Sequence, residues 1–235
     1  MNEIVIGICD DEMAAMLQVE KIVIDYVERV KKEAQVLLFQ SGKELLERTE
    51  ELHILFLDIE MPKMDGIEAG KIILKRNKKC KIIMATSHLE RFKEAFKIDA
   101  FRFVTKPFNN GEIEEALQDA LDTMIGMEDM EFYKNRTMYK VQQKDIMYLK
   151  AYGGFVEAKV RNQILRREIS LSKLEEIMDR NIFFRINREI LVNMFHIDNY
   201  KNDIIKVGTQ TFKIARRRKK EFEKAFIKFD LKYRG

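Results

Sequence analysis

Side chains suited to metal and phosphate chemistry recur where apolar runs end. Asp10 and Asp11 follow the run Ile4 to Cys9, and Asp58 follows Ile54 to Leu57. Thr86 follows Ile82 to Ala85, and Lys106-Pro107 stands just beyond Phe101 to Val104. Three carboxylates brought to one place repel one another and cluster stably only when a cation neutralises them. An all-oxygen set completed by water suits Mg2+, which is typically held by one or two carboxylates together with phosphate oxygens. On the opposite side, the Lys106 ammonium would bind phosphoryl oxygens that the metal does not hold, and the Thr86 hydroxyl would donate to the same group. Asp58 is then the nucleophile, forming an aspartyl phosphate. Positioning and charge neutralisation are most of what phosphoryl transfer asks of a protein.

For these residues to meet, the runs before them must be strands ending at one edge of a sheet. The runs Ile4 to Cys9, Val36 to Phe39, Ile54 to Leu57, Ile82 to Ala85 and Phe101 to Val104 read as buried strands. Helical spacing separates them: Met16, Val19, Ile22, Val23 and Val27, then Ile67, Ile72 and Ile73, then Phe92, Ala95 and Phe96. Ser41 followed by Glu44 has the form of a capping box. A last helix is expected from about Asn109 to Thr123. The alternation predicts an α/β doubly wound, five-stranded parallel sheet with helices on both faces. Such sheets bind ligands beyond the carboxyl ends of their strands.

The pattern changes near Gly126-Met127-Glu128-Asp129. Strands are expected at Tyr139 to Gln142, Ile146 to Lys150, Phe155 to Val160, Ile164 to Ile169, Ile204 to Val207 and Thr211 to Ile214. Gly153-Gly154 and Arg161-Asn162-Gln163 supply turns. A short helix is expected to begin at Ser172, with Glu175 completing a capping box and Leu174, Ile177 and Met178 facing inward. Phe222, Ala225, Phe226 and Phe229 mark the buried face of a final helix. Charge divides at the same place. Residues 1–125 hold 18 Lys/Arg against 24 Asp/Glu, and residues 126–235 hold 25 against 15, so a net charge of +4 conceals an acidic half and a basic half. A basic half of that size points to nucleic acid or an anionic surface as its partner.

Composition narrows the remaining classes. The two cysteines, Cys9 and Cys80, lie in apolar runs and indicate no disulfide framework. The start lacks a basic segment before its apolar run, and no stretch approaches the roughly 18 apolar residues of a membrane span, so a cytoplasmic protein with reduced thiols and no membrane partner is expected. The 13 methionines sit mostly at apolar helical or strand positions and read as core filler.

With those residues in place, ICDDE at 8–12, LFLDIEMPKMDG at 55–66, MATSH at 84–88 and FRFVTKPF at 101–108 resemble the flavodoxin-like receiver domain of bacterial two-component response regulators. The resemblance covers residues 1 to about 125. It implies that Asp58 accepts a phosphoryl group from a sensor histidine kinase, with Asp10, Asp11 and Asp58 on Mg2+ and with Lys106 and Thr86 sensing the phosphate. Phe103 falls at the family's switch-aromatic position. Pro62 and Gly66 match the loop after the phosphoacceptor. Glu60 and His88 match positions that flank the path of an attacking water and so tune phosphate lifetime. Phe92, Phe96 and Phe101 fall on a face that many receivers use to dimerise, although packing within the monomer is the plainer reading for at least two of them. The chain is expected not to be an enzyme beyond, at most, autophosphatase activity.

The second half resembles the mostly-β LytTR-type DNA-binding domain, through DIMYLKAYGGFVEAKV at 145–160, FFRINREILVN at 183–193 and FKIARRRKKEFEKAF at 212–226. The domains are thus expected at 1–125 and 132–235, with a linker over 126–131. Arg185, Arg188 and the run Arg216 to Lys220 offer forks and charges for phosphates and guanine edges. Asn187 and Tyr152 add hydrogen-bonding capacity. Matching to base-contacting positions of the family favours Arg188 and Arg217, with Arg216 beside them. The family most often has His where Asn187 stands and Ser where Ala215 stands. The resemblance implies a transcriptional regulator that binds double-stranded promoter DNA at direct repeats and forms a homodimer when phosphorylated. Two other readings compete. One is a haloacid-dehalogenase-like phosphatase, although Glu60 stands where that family places a second aspartate. The other is a receiver coupled to an RNA- or protein-binding module.

Overall fold

The computed structural model of the chain describes residues 3–87, 89–91, 93–94 and 98–234. Two compact units divide it, Met1–Thr123 and Met124–Gly235.

The first unit is built on strands β1 (Ile4–Cys9), β2 (Ala34–Phe39), β3 (Ile54–Asp58), β4 (Lys81–Thr86) and β5 (Arg102–Thr105). All pairings are parallel, in the order β2-β1-β3-β4-β5. Central β3 is buried at every position, and its sequence shows no alternation because both faces of a parallel sheet are covered. Helices α2 (Gly42–Leu46) and α3 (Gly66–Arg76) contribute Leu45, Ile67 and Ile73 to one cluster with Leu55, Leu57 and Met84. Helices α1 (Met13–Arg29) and α4 (Asn110–Thr123) pack against each other and bury Val19, Val23, Ile113 and Leu117. Ser41 caps α2 by accepting the Glu44 N–H at 3.3 Å, and the Glu44 carboxylate accepts the Gln40 N–H at 2.9 Å. The helical segment expected around Phe92, Ala95 and Phe96 falls largely outside the described residues.

The second unit holds an antiparallel sheet of seven strands in the order β11-β12-β8-β9-β10-β6-β7. They are β6 (Asp129–Lys134), β7 (Thr137–Gln142), β8 (Ile146–Tyr152), β9 (Phe155–Val160), β10 (Gln163–Arg167), β11 (Phe183–Arg185) and β12 (Ile190–Asn193). A smaller sheet follows, of β13 (Asn199–Lys201), β14 (Ile204–Val207) and β15 (Gln210–Lys213). Helices α5 (Leu171–Ile177) and α6 (Lys219–Tyr233) complete the unit. One core joins them: Leu149 and Val192 of the large sheet, Ile205 of the small one, Leu174 of α5, and Phe222 and Phe229 of α6.

Several expectations are corrected here. Residues 126–131 are not a free linker, since Lys144 N–H donates to the Gly126 carbonyl, Gln143 N–H to that of Glu128, and β6 already begins at Asp129. The cap of α5 is Ser170, whose hydroxyl accepts the Lys173 N–H, not Ser172. Ile177 is 45% exposed while Leu174 and Met178 are buried. Strands β6, β11, β12 and β13 were not expected. The four residues of β12 are all buried, so this strand lacks the alternation by which a half-exposed strand is read.

Candidate functional site

In the first unit the strand order reverses between β1 and β3, which opens a crevice at the carboxyl ends of the sheet. Asp10 immediately follows β1 and Asp58 is the last residue of β3. Both are 3% exposed, while Asp11 faces solvent. One carboxylate oxygen from each of Asp10, Asp11 and Asp58 lies within 4.8 Å of the others. Lys106 Nζ reaches Asp10 Oδ2 at 2.8 Å and Asp58 Oδ2 at 3.1 Å. Thr86, fully buried, pairs with Thr105 at the end of β4, and its carbonyl accepts the Lys106 N–H at 2.9 Å. The Lys106–Pro107 peptide bond is cis.

Burial pushes the Asp58 carboxyl up to about 6, and the neighbouring charge of Asp10 adds to the shift, while Lys106 and the Glu60 backbone N–H oppose it. Burial works against the charge of Lys106 as well, but its bond to Asp10 and the attraction of Asp58 outweigh that and hold its pKa above the usual lysine value. One ammonium therefore faces three carboxylates, two of them buried. An oxygen-only donor set with one side open to water fits a hard divalent cation such as Mg2+. Cys9, buried beside Asp10, has its thiol pushed up to about 12 by burial and by Asp10, which leaves it an inert hydrophobe.

The loop from β3 to α3 closes tightly on Asp58. A Cβ at position 66 would lie 1.9 Å from the carbonyl oxygen of Asp58, and Gly66 N–H donates to the Ile59 carbonyl at 2.9 Å. Glycine is needed there for room. Asp65, which drew no attention in the sequence, caps α3 through the Glu68 N–H at 2.8 Å and pairs with Arg91 at 2.9 Å. Glu60 and Pro62 are exposed in this loop. Phe103 is half-buried on β5, packed against the cluster that contains α2 and α3. His88 lies outside the described residues.

In the second unit, backbone bonds gather three turns at one edge. Ala151 N–H donates to Glu189 O at 2.8 Å, and Ala215 N–H to Ile186 O at 2.9 Å. Tyr152, the turn carrying Asn187 and Arg188, and the turn carrying Arg216 and Arg217 thus adjoin. An open groove of about 930 Å³ is lined by Asn187, Arg188, Arg216 and Arg217 among others. Arg188, Arg216 and Arg217 are exposed, and among the described residues none of their guanidinium groups has a hydrogen bond or ion pair. Asn187 is engaged within the fold: its Oδ1 accepts the N–H groups of Glu189 and Ile190, each at 2.9 Å, and its Nδ2 donates to Lys213 O at 3.3 Å. Tyr152 is 42% exposed, stacks on Phe155 at 5.2 Å between ring centroids, and has Lys150 Nζ 5.1 Å from its ring centre. Arg185 and Arg218, indistinguishable by type from the free arginines, are instead held by intramolecular bonds.

A doubly wound sheet with a buried acidic site at its switch point is thus followed by an antiparallel unit that presents unpaired guanidinium groups. Residues 6–118 match the response regulator receiver domain, and residues 136–227 match the LytTr DNA-binding domain. The chain belongs to the response regulators that join a receiver domain to a LytTR DNA-binding domain. It is 23% identical to the sensory transduction protein LytR of Staphylococcus haemolyticus, over 80% of this chain and 85% of that one. It is 24% identical to the transcriptional regulatory protein LytR of Staphylococcus aureus, over 78% and 85% respectively. Among solved structures, the LytTr DNA-binding domain of a putative methyl-accepting/DNA response regulator from Bacillus cereus covers 43% of this chain and 97% of its own, with 18% identity and a TM-score of 0.40.

Proposed function

We propose that Asp58 accepts a phosphoryl group from a sensor histidine kinase and that the modification controls binding of the LytTR domain to promoter DNA. The observation that carries this reading is the convergence of Asp10, Asp11, Asp58 and Lys106 at one crevice. An Asp58 carboxylate oxygen attacks phosphorus, a P–O bond forms as the P–N bond to the kinase histidine breaks, and the imidazole keeps the electron pair. Asp10, Asp11 and Asp58 would hold Mg2+, which supplies neutralisation of the charge gathered on the transferring group. Lys106 would exchange its bonds to Asp10 and Asp58 for phosphoryl oxygens, and the Thr86 hydroxyl would donate to a third. Phe103, one β5 position beyond Arg102, would follow Thr86 and shift a pre-existing equilibrium toward a dimerising surface. Glu60, exposed two residues after Asp58, and His88 would set how readily water reaches the phosphoryl group.

On DNA, the free guanidinium groups of Arg188, Arg216 and Arg217 suit guanine edges and phosphates, with Tyr152 and Asn187 beside them. Two copies on paired direct repeats gain from effective concentration, without new base contacts. Incubation with Mg2+ and a small-molecule phosphodonor such as acetyl phosphate, followed by peptide mass spectrometry, tests the acceptor. Phosphate labile to alkali and hydroxylamine is expected on Asp58 and lost in Asp58→Asn; label that persists in that variant rejects the assignment.

A further inference from the structure

Arg185 stands between α5 and the turns that carry the unpaired arginines. Its Nη1 donates to Ser172 Oγ at 3.0 Å and to Glu175 Oε2 at 2.9 Å, two side chains three residues apart on one helical face. Its Nε donates to the carbonyl of Asn187 at 3.2 Å, and its Nη2 to that of Arg188 at 2.8 Å. A single planar fork thus spans from a helix to two successive carbonyls of an irregular turn, which a lysine ammonium has no geometry to do. The backbone of the same residue serves the neighbouring turn: Arg185 O accepts from Arg218 Nε at 3.1 Å. Arg218 in turn lies 4.9 Å from the centre of the Phe184 ring and pairs with Glu221 at 3.0 Å. Four of the five N–H donors of Arg185 are spent in this set, which fixes the guanidinium within the fold. Glu175 also lines the groove, where a carboxylate repels phosphate, so its contribution must come through what it holds.

We propose that Arg185, anchored by Ser172 and Glu175, is a positioning residue for DNA recognition: it clamps the Asn187 and Arg188 carbonyls and thereby aims the free Arg188 side chain. This role rests on the DNA-binding reading above. It differs from a phosphate contact in a measurable way. Losing a phosphate contact weakens binding to all sequences and lowers the slope of log affinity against log salt by about 0.9. Losing the clamp lowers discrimination and leaves that slope alone.

The test uses the full chain. Wild-type protein is used to enrich a duplex from a random double-stranded library. Affinity for that duplex and for a scrambled one of equal length is then measured by fluorescence anisotropy across a KCl series. Arg185→Lys and Glu175→Gln are each expected to weaken the selected duplex about tenfold. The scrambled duplex should stay within about twofold at an unchanged salt slope. In an Arg188→Ala background neither substitution should cost more, because both act through the side chain already removed. Should Arg185→Lys unfold the domain, as read by its thermal transition, Glu175→Gln and Ser172→Ala keep the arginine and carry the test. Wild-type affinity in Arg185→Lys overturns the proposal. So does tighter binding of both duplexes by Glu175→Gln, or additivity with Arg188→Ala. If wild-type protein enriches no duplex, the DNA-binding reading itself fails, a result distinct from all of these.

Discussion

Asp58 illustrates what a buried carboxylate costs the fold that holds it. Its folded pKa of about 6 lies above the ordinary 3.8, so the folded state keeps a proton that the unfolded chain releases in that interval. The associated stability is complete below pH 3.8 and lost as pH rises through about 6, up to about 3 kcal/mol at 1.36 kcal/mol per pH unit. Asp58→Asn should therefore stabilise the receiver at pH 7 in chelator-treated buffer by about 1–3 kcal/mol, read by urea unfolding. Adding Mg2+ at a hundred times its dissociation constant should stabilise the wild type by about 2.7 kcal/mol and the variant by clearly less. Equal metal responses in the two would count against the carboxylate cluster as the cation site. His53 contributes the opposite slope. Its Nδ1 accepts the Val5 N–H at 3.1 Å, and burial holds its pKa below 6.5, so stability is lost as pH falls below that value. His53→Gln should flatten this acid-side loss in a pH series of unfolding midpoints; an unchanged profile would remove His53 as its source.

Elements differ in how their sequence announces them. Strands β1 and β3 and the box at Ser41 and Glu44 were legible because apolar runs and cap spacing are local signals. Helix α5 shows the limit. Ser170 and Ser172 both stand shortly before Leu174, and only the hydrogen bond to Lys173 N–H identifies the cap. Ser170→Ala is expected to cost about 1 kcal/mol of unfolding free energy. Ser172→Ala should cost less, and equal losses would show that the helix begins elsewhere. The turn into α3 makes a harder demand, since a Cβ at position 66 collides with the carbonyl of Asp58 itself. Gly66→Ala should destabilise the first unit by about 1–3 kcal/mol, the usual cost of overpacking, and should slow phosphorylation from acetyl phosphate because it displaces Asp58. Wild-type labelling in a destabilised variant would separate that loop from the chemistry.

For the molecule as a whole, the division of charge matches the division of the backbone. The acidic unit carries the carboxylate crevice, and the basic unit carries the groove with unpaired arginines. Beryllofluoride with Mg2+ should raise the sedimentation mass toward a dimer and tighten binding to a duplex with two repeats far more than to one with a single repeat, since the gain is one of effective concentration. Equal affinities for both duplexes and an unchanged mass would refute the switch while leaving both domain assignments intact.

Much of the receiver could be read from the chain because its signals are short-range. An apolar run declares a strand, its carboxyl-terminal residue declares what stands at the sheet edge, and a parallel sheet brings those edges together. Asp10, Asp11, Asp58, Thr86 and Lys106 were placed at one sheet edge in that way. Which arginine is free and which is bound is another kind of question. Arg185 and Arg188, and likewise Arg217 and Arg218, are the same residue type and near neighbours in sequence. Their roles diverge because the partners of Arg185 and Arg218 come from α5, from the carbonyls of irregular turns and from an aromatic ring. Hydrogen bonds to distant backbone atoms leave no period or motif behind, so only the assembled tertiary structure separates the side chains that face outward from the one that holds them in place.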